Sequence, residues 1–243
     1  MDRFKNQVAV ITGAGSGIGR AIALGLAQEG ASLVLIGRTM EKLVEVAKIA
    51  RVDTPDVQCK QCDLSQNADL HLFIAELAKE LPRVDLLIHC AGTIYLGGVK
   101  TLPVENLDEL YRITLRAPYV LTQAMLPALQ ACKGQIVFIN SSAGVATAGV
   151  NNGAYAAMKH ALRIFTDSLR GEVNPDGIRV ISVFPGRTAT PMQSYIHQIE
   201  GRPYQPELLV QPDDVVALLK DAITLPRTIE VTDLQFRPMV KTN

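Results

Sequence analysis

The sequence predicts an α/β fold, a doubly wound parallel sheet with helices on both faces. Three observations predict it. Strand-like and helix-like segments alternate from one end of the chain to the other. Several strand segments are continuous apolar runs, as expected of strands covered on both faces. The joints between elements are short, and strand–helix–strand alternation of that kind gives parallel strands with right-handed crossovers.

QVAVIT (7–12) opens the sheet, and a helical pattern over 17–30 follows it. SLVLIG (32–37) precedes a helix over 40–51, and DVQCKQC (56–62) precedes one over 67–81. VDLLIHC (84–90) leads to a long helical pattern over 105–132. GQIVFIN (134–140) leads to 153–173, IRVISVF (178–184) to 212–224, and EVTDLQF (230–236) comes last. QPDDVVALL puts Pro212, Asp213 and Asp214 in a first turn. Proline fits there, and carboxylates face the positive helix end. The segment 187–211 holds several Pro and Gly and is the least regular. Placed after the carboxyl end of a strand, it is expected to form a substrate lid. The 243 residues, 1–243, read as one large domain that needs neither disulfide nor metal. No linker, repeat or low-complexity segment divides them.

Lys plus Arg and Asp plus Glu both number 24, and the basic residues are scattered. Nucleic acid and anionic membrane are therefore not expected partners. No basic-plus-apolar leader opens the chain, and no apolar run reaches about 18 residues. A cytoplasmic protein is expected. Of the four cysteines, Cys59, Cys62, Cys90 and Cys132, the first two form a CxxC. In a strand, residues three apart point to opposite faces. No second Cys/His pair has metal spacing, so these thiols are expected to be structural and no metal site is expected.

Ligands in such sheets bind beyond the carboxyl ends of the strands. The first of these ends reads TGAGSGIG, with Gly13, Gly15, Gly17 and Gly19 between strand and helix. Glycines there let backbone N–H groups approach a pyrophosphate, and the helix N-terminus faces it. An acidic residue commonly ends the second strand to receive ribose hydroxyls. Here Gly37 and then Arg38 stand there. Glycine does not repel a 2′-phosphate and a guanidinium can clamp one, which favours NADP(H) over NAD. Asp63, after the third strand, is expected to hold adenine, to cap the next helix, or both.

No charged side chain occurs over 134–158, and the next residue is Lys159. Tyr155 stands one helical turn before it, so both lie on one helix face. A neighbouring ammonium favours phenolate and lowers a tyrosine pKa. Ser142 or Ser141, on the preceding segment, offers a hydroxyl to a substrate oxygen. Hydride transfer to a carbonyl builds negative charge on oxygen, which needs a donor and then a proton.

Together these pieces resemble the short-chain dehydrogenase/reductase family. TGAGSGIG matches its glycine motif. SSAG followed by YAAMK matches its catalytic segment, with Ser142 thirteen residues before Tyr155. PGRTATPM (185–192) matches its Pro-Gly segment. The resemblance covers essentially the whole chain. It implies a Rossmann-like, seven-stranded sheet in the order 3-2-1-4-5-6-7. It implies Tyr155 as general acid/base, Ser142 as the residue orienting the carbonyl, and Lys159 holding the nicotinamide ribose and lowering the tyrosine pKa. For the cofactor it implies Ser16 and Ile18 beside the four glycines, with Asp63, Leu64, Ala91 and Gly92. Pro185, Gly186, Thr188 and Thr190 complete that set. It also implies a homotetramer or homodimer packed through 105–132 and 153–173.

The chain departs from the family in places. HCAG replaces the common NNAG, and His89 reads as a packing residue. Thr114 stands where an asparagine usually holds a proton-relay water. The ending EVTDLQFRPMV resembles reductases of small carbonyls and 3-hydroxy acids rather than the Gly-Gly ending of 3-oxoacyl (acyl-carrier-protein) reductases. The expected activity is NADP(H)-dependent interconversion of a secondary alcohol and a ketone or aldehyde. Reduction of a 3-oxoacyl thioester is the alternative. A non-enzymatic NADP-sensing or scaffold protein is the alternative of another class.

Overall fold

The computed structural model describes residues 2–147 and 149–240, and for 67–69 the backbone alone. The first half of the sheet runs β1 (Val8–Thr12), α1 (Gly17–Ala27), β2 (Ser32–Gly37), α2 (Met40–Ala50), β3 (Val57–Gln61), α3 (Asn67–Glu80) and β4 (Leu86–His89). Two helices, α4 (Val104–Tyr111) and α5 (Ala117–Gln130), lead to β5 (Gln135–Ile139) and then α6 (Gly153–Val173). The chain closes with β6 (Arg179–Pro185), α7 (Pro191–Ile199), α8 (Pro212–Thr224) and β7 (Asp233–Phe236). Seven strands form one sheet in the order β3-β2-β1-β4-β5-β6-β7, as the family resemblance implies. Every pairing is parallel.

The continuous apolar runs now have their reason. In β1, Ala9 and Ile11 enter the core under α1, α2 and α8, while Val10 enters the core under α3, α5 and α6. In β2, Leu33 and Leu35 go one way, Val34 and Ile36 the other. Each such buried aliphatic side chain contributes about 1.5–3 kcal/mol. Cys59 packs against the first core and Cys62 belongs to the second, so the CxxC is split across the sheet. Among the described residues no group of three or more His, Cys, Asp or Glu could hold a metal. No described helix is long and apolar enough to cross a membrane.

Two elements differ from the sequence expectation. The helix expected over 105–132 is interrupted by a π-helical turn, Arg112–Arg116, between α4 and α5. Pro118 supplies the cause. It has no N–H for the carbonyl four residues back, at Thr114, and its ring crowds that carbonyl. A wider turn relieves both. The segment expected to be an irregular lid holds a helix, α7. Thr190 caps it, its hydroxyl accepting from Gln193 N at 3.3 Å, and Pro191 begins it.

Candidate functional site

The carboxyl ends of β1 and β4 are knitted together first. Thr12 Oγ1 accepts hydrogen bonds from the backbone N–H groups of Cys90 (3.0 Å) and Ala91 (3.1 Å). Gly13 has φ +68°, and a Cβ on it would stand 2.8 Å from the Ala91 backbone. A Cβ on Gly19 would meet the Gly13 carbonyl oxygen at 2.4 Å. The turn from Gly13 to Gly19 therefore folds only without side chains at those positions. It delivers the N-terminus of α1 to a cavity of about 930 Å³ that crosses the top of the sheet. That cradle, glycine at every second position and set at a positive helix end, fits a dinucleotide pyrophosphate.

At one end of the cavity stand Gly37, Arg38, Thr39 and Lys42. Gln61 Nε2 donates to the Arg38 carbonyl oxygen at 2.9 Å, fixing the backbone after β2. Arg38, before α2, and Lys42, in its first turn, both line this end and bring two cations to it. Asp63 and Leu64 line the cavity nearby. One Asp63 carboxylate oxygen accepts from Ser65 N (3.0 Å) and Ser65 Oγ (2.8 Å), so it holds the loop entering α3.

At the centre, Tyr155 lies in the first turn of α6 and Lys159 in the next, both buried. The Lys159 ammonium sits 5.8 Å from the centroid of the Tyr155 ring. Burial pushes the phenol above its ordinary pKa, and an interaction with the Ser141 hydroxyl partly offsets the rise. Burial lowers Lys159 to about 8, against a smaller opposing effect from Cys90. In the protein alone, burial is the larger influence on the phenol. Both serines of the 141–142 pair stand at the site. Ser141 Oγ interacts with the phenol and accepts from Ala143 N at 3.1 Å. Ser142, expected as the orienting residue, begins the short 3₁₀ turn and also lines the cavity.

The 187–211 segment borders the far side of the cavity. Thr188 bridges Val210, and Ala189 N donates to the Val210 carbonyl at 2.8 Å, joining the two ends of the 187–211 segment. Pro185, Gly186, Thr188 and Thr190 border the cavity, as do Met192, Gln193 and Ile196 of α7. Across from them, Gly97 N donates to the Asn151 carbonyl at 2.8 Å, which ties the loop after β4 to the loop before α6.

Ser16, Gly17, Ile18, Ala91 and Gly92 line the same cavity. Thr114 is the exception among the expected site residues. It is buried in the π turn, it does not line the cavity, and its hydroxyl has no hydrogen-bond partner. His89 stacks on Phe138 with ring centroids 4.7 Å apart, and its Nε2 lies 2.9 Å from Thr122 Oγ1. Burial lowers it to about 3, so it is a neutral packing residue. Sequence reasoning missed Thr12 and Lys42. The first closes an apolar strand immediately before a glycine turn, and the second lies in the first turn of the helix that follows Arg38.

A family model described as short chain dehydrogenase matches residues 7–201. An uncharacterized oxidoreductase of Staphylococcus epidermidis is 29% identical over 240 residues, covering 98% of this chain and 100% of the relative. An alcohol dehydrogenase from the archaeon Thermococcus sibiricus, solved with 5-hydroxy-NADP, is 26% identical with a TM-score of 0.86, covering 98% of each chain. A metagenomic short-chain oxidoreductase solved with NADP is 30% identical with a TM-score of 0.82, covering 98% of this chain and 100% of that one. With its parallel sheet, its glycine turn and this match over most of its length, the chain belongs to the short chain dehydrogenase family and is an oxidoreductase.

Proposed function

We propose that the protein is an NADP(H)-dependent oxidoreductase that interconverts a secondary alcohol and a ketone or aldehyde. The observation that carries this reading is the buried Tyr155 phenol, set between the Ser141 hydroxyl and the Lys159 ammonium in the cavity that the glycine turn opens. When bound, the nicotinamide supplies or takes up the hydride. Tyr155 gives its phenolic proton to the carbonyl oxygen as charge develops there, and takes one from the alcohol in the reverse direction. Ser141 holds that oxygen by a hydrogen bond worth most when the oxygen is most negative. Lys159 holds the nicotinamide ribose and returns the tyrosine to its protonated state.

Arg38 clamps the 2′-phosphate, and Lys42 adds a second cation beside it. Gly37 leaves no carboxylate to repel that phosphate. Two structural relatives were solved with NADP or a derivative of it, which supports this preference. The remaining cofactor contacts fall to Ser16, Ile18, Leu64, Ala91, Gly92, Pro185, Gly186, Thr188 and Thr190. Leu107 and Tyr111 on α4, Tyr119 on α5 and Ile164 on α6 are exposed apolar residues. They support assembly into a homodimer or homotetramer across these helices, which sedimentation would measure.

The test is NADPH oxidation against a panel of ketones and aldehydes, repeated with NADH. Turnover that prefers NADPH supports the reading. Tight NADPH binding with no turnover of any carbonyl or alcohol points instead to a sensor or scaffold.

A further inference from the structure

Of the helices α1–α8, α7 alone buries no apolar side chain among the described residues. It buries Gln193 and His197, while Met192, Tyr195 and Ile199 are exposed. The helices on either side of it in the chain, α6 and α8, each bury several aliphatic residues. A helix held without apolar burial lacks the largest stabilising contribution, and it opens locally more readily than the rest of the fold. Yet α7 borders the cavity, which Met192, Gln193, Ile196 and Ile199 line. Its cap, Thr190, lies against the glycine turn: a Cβ on Gly17 would stand 3.2 Å from Thr190 Cγ2. α7 therefore starts at the pyrophosphate cradle and runs along the cavity wall.

What ties down its far end is an ion pair. Arg187, directly after the Pro-Gly segment, has a fixed backbone. Gly186 N donates to the Phe236 carbonyl at 2.8 Å, and the Arg187 carbonyl accepts from Val210 N at 3.1 Å. From that anchor Arg187 Nη2 reaches Glu200, the residue after α7, and lies 2.9 Å from both carboxylate oxygens. Arg187 Nη1 is buried and has no hydrogen-bond partner, so the guanidinium is sunk beside this contact and its exposed charge is met by Glu200. The two side chains are 30% and 26% exposed. Arg202 Nε also lies 3.8 Å from Glu200. That contact ties α7 to nothing further, because Arg202 N donates to the His197 carbonyl at 2.9 Å and belongs to the same helix end.

Resting on the reading that this cavity takes NADP(H), we infer that Arg187 and Glu200 are positioning residues: their ion pair straps the end of α7 to the Pro-Gly segment, keeps the helix along the cavity, and slows release of the dinucleotide. They act through α7 and not on a substrate. A partly exposed pair contributes modestly. On a helix with no apolar burial, a modest contribution is a large share of what holds it. With the pair broken, α7 stays tethered at its start, where Thr188 bridges Val210, and its far end is free to lift.

Arg187→Gln, Glu200→Gln and the double variant test it. The first measurement is the rate of NADPH release, followed by stopped-flow fluorescence with excess NADP⁺ as the displacing ligand and no substrate present. Each single variant should release NADPH about 5-fold faster, the upper scale for a partly exposed pair. The double variant should be no faster than the faster single, because residues acting as one pair do not add. The second measurement is hydrogen exchange of the cofactor-free proteins. Exchange should rise over 191–199 and stay unchanged in β6 and α8, with the melting temperature close to the parent's. Unchanged release in both single variants overturns the inference, as do additive effects in the double. Exchange that rises throughout the fold also overturns it, since the pair would then support the whole domain and not α7. A parent that binds no NADPH sinks the cofactor reading instead, and exchange over 191–199 then decides the strap alone.

Discussion

The Lys159 ammonium donates a hydrogen bond to the carbonyl oxygen of Ile139, 3.1 Å away, where β5 ends and the Ser141 turn begins. Asn140 Nδ2 returns a bond to the Lys159 carbonyl at 3.1 Å. α6 is thereby laced to the end of β5, and the lysine is held beneath the Tyr155 ring. Holding a charge there works against stability. Burial lowers Lys159 from 10.5 to about 8, so between those values the unfolded chain binds a proton that the folded one does not. Stability from this residue therefore rises with pH through that window, and the full cost of burying the ammonium is present below about pH 8. Lys159→Met should raise the melting temperature of the cofactor-free protein at pH 7, and the gain should shrink by pH 10. A Met variant destabilised equally at both pH values would show that the lacing outweighs the charge.

The same reasoning applies to His89, in a lower pH window. Its folded value of about 3 lies below the ordinary 6.5, so the unfolded chain takes up a proton that the fold refuses. Stability should fall as pH drops from 6.5 toward 3, by at most about 1.4 kcal/mol per unit from this group. His89→Asn loses the stacking on Phe138 and should be less stable at pH 7. It should also lose less between pH 7 and pH 5 than the parent. Urea midpoints at the two pH values measure this, and parallel slopes would remove His89 from the account.

Arg38 and Lys42 should discriminate cofactors. Arg38→Ala should lose about 1–3 kcal/mol of NADPH affinity, the scale of hydrogen bonds from a charged group, and much less of NADH affinity. Lys42→Ala should follow the same direction with a smaller loss, because an ammonium lacks the planar fork of a guanidinium. Fluorescence titration with both cofactors gives the four values. Equal losses with NADPH and NADH would sink the 2′-phosphate role.

Much of this was legible in the sequence because it rests on local rules. Apolar runs such as VAVI and LVLI have no second use in a chain of this length, and alternate residues in them do face opposite cores. The glycine turn was legible because only residues lacking Cβ fit the approach of Gly13 to Ala91 and of Gly19 to Gly13. What escaped depends on through-space partners or on one overlooked proline. Pro118 predicts a break in the helix expected over 105–132, and Thr190 followed by Pro191 is a helix start inside the expected lid. The spacing to Tyr155 points to Ser142, and the neighbouring Ser141 lines the same cavity. The choice between them depends on how the turn at the end of β5 aims two adjacent hydroxyls.

That choice has its own test. Ser141→Ala removes the hydroxyl that interacts with the phenol, and turnover should fall by about 10²-fold, the scale of losing one donor to a developing oxyanion. Since Ser141 also lowers the Tyr155 pKa, the tyrosine-dependent limb of alcohol oxidation should move to higher pH. Ser142→Ala should stay within a few-fold of the parent. Steady-state rates of the three proteins against pH decide it, and the reverse ranking restores the orienting role to Ser142.

Tyr155→Phe is the substitution with the most to say. It keeps the ring, its burial and its contact with the Lys159 ammonium, and removes only the group assigned to move the proton. The variant should fold as the parent does. It should still bind NADPH, because Gly13, Gly19, Arg38 and Lys159 are unchanged. Turnover should fall about 10²-fold or more, the usual worth of a positioned acid/base. In the parent, burial raises the phenol, so the protonated acid that carbonyl reduction requires is present across neutral pH. Reduction should therefore be flat there and decline at high pH as the phenol ionises, while alcohol oxidation should rise over the same range. Both limbs should vanish in Tyr155→Phe. Lys159→Met should differ in kind, since it removes a ribose contact as well as a charge, and it should weaken NADPH binding where Tyr155→Phe does not. The measurement is kcat against pH in both directions for the three proteins, with NADPH affinity taken separately by fluorescence. A Tyr155→Phe enzyme with near-normal turnover and an intact high-pH limb would place the proton transfer on another group of the cavity.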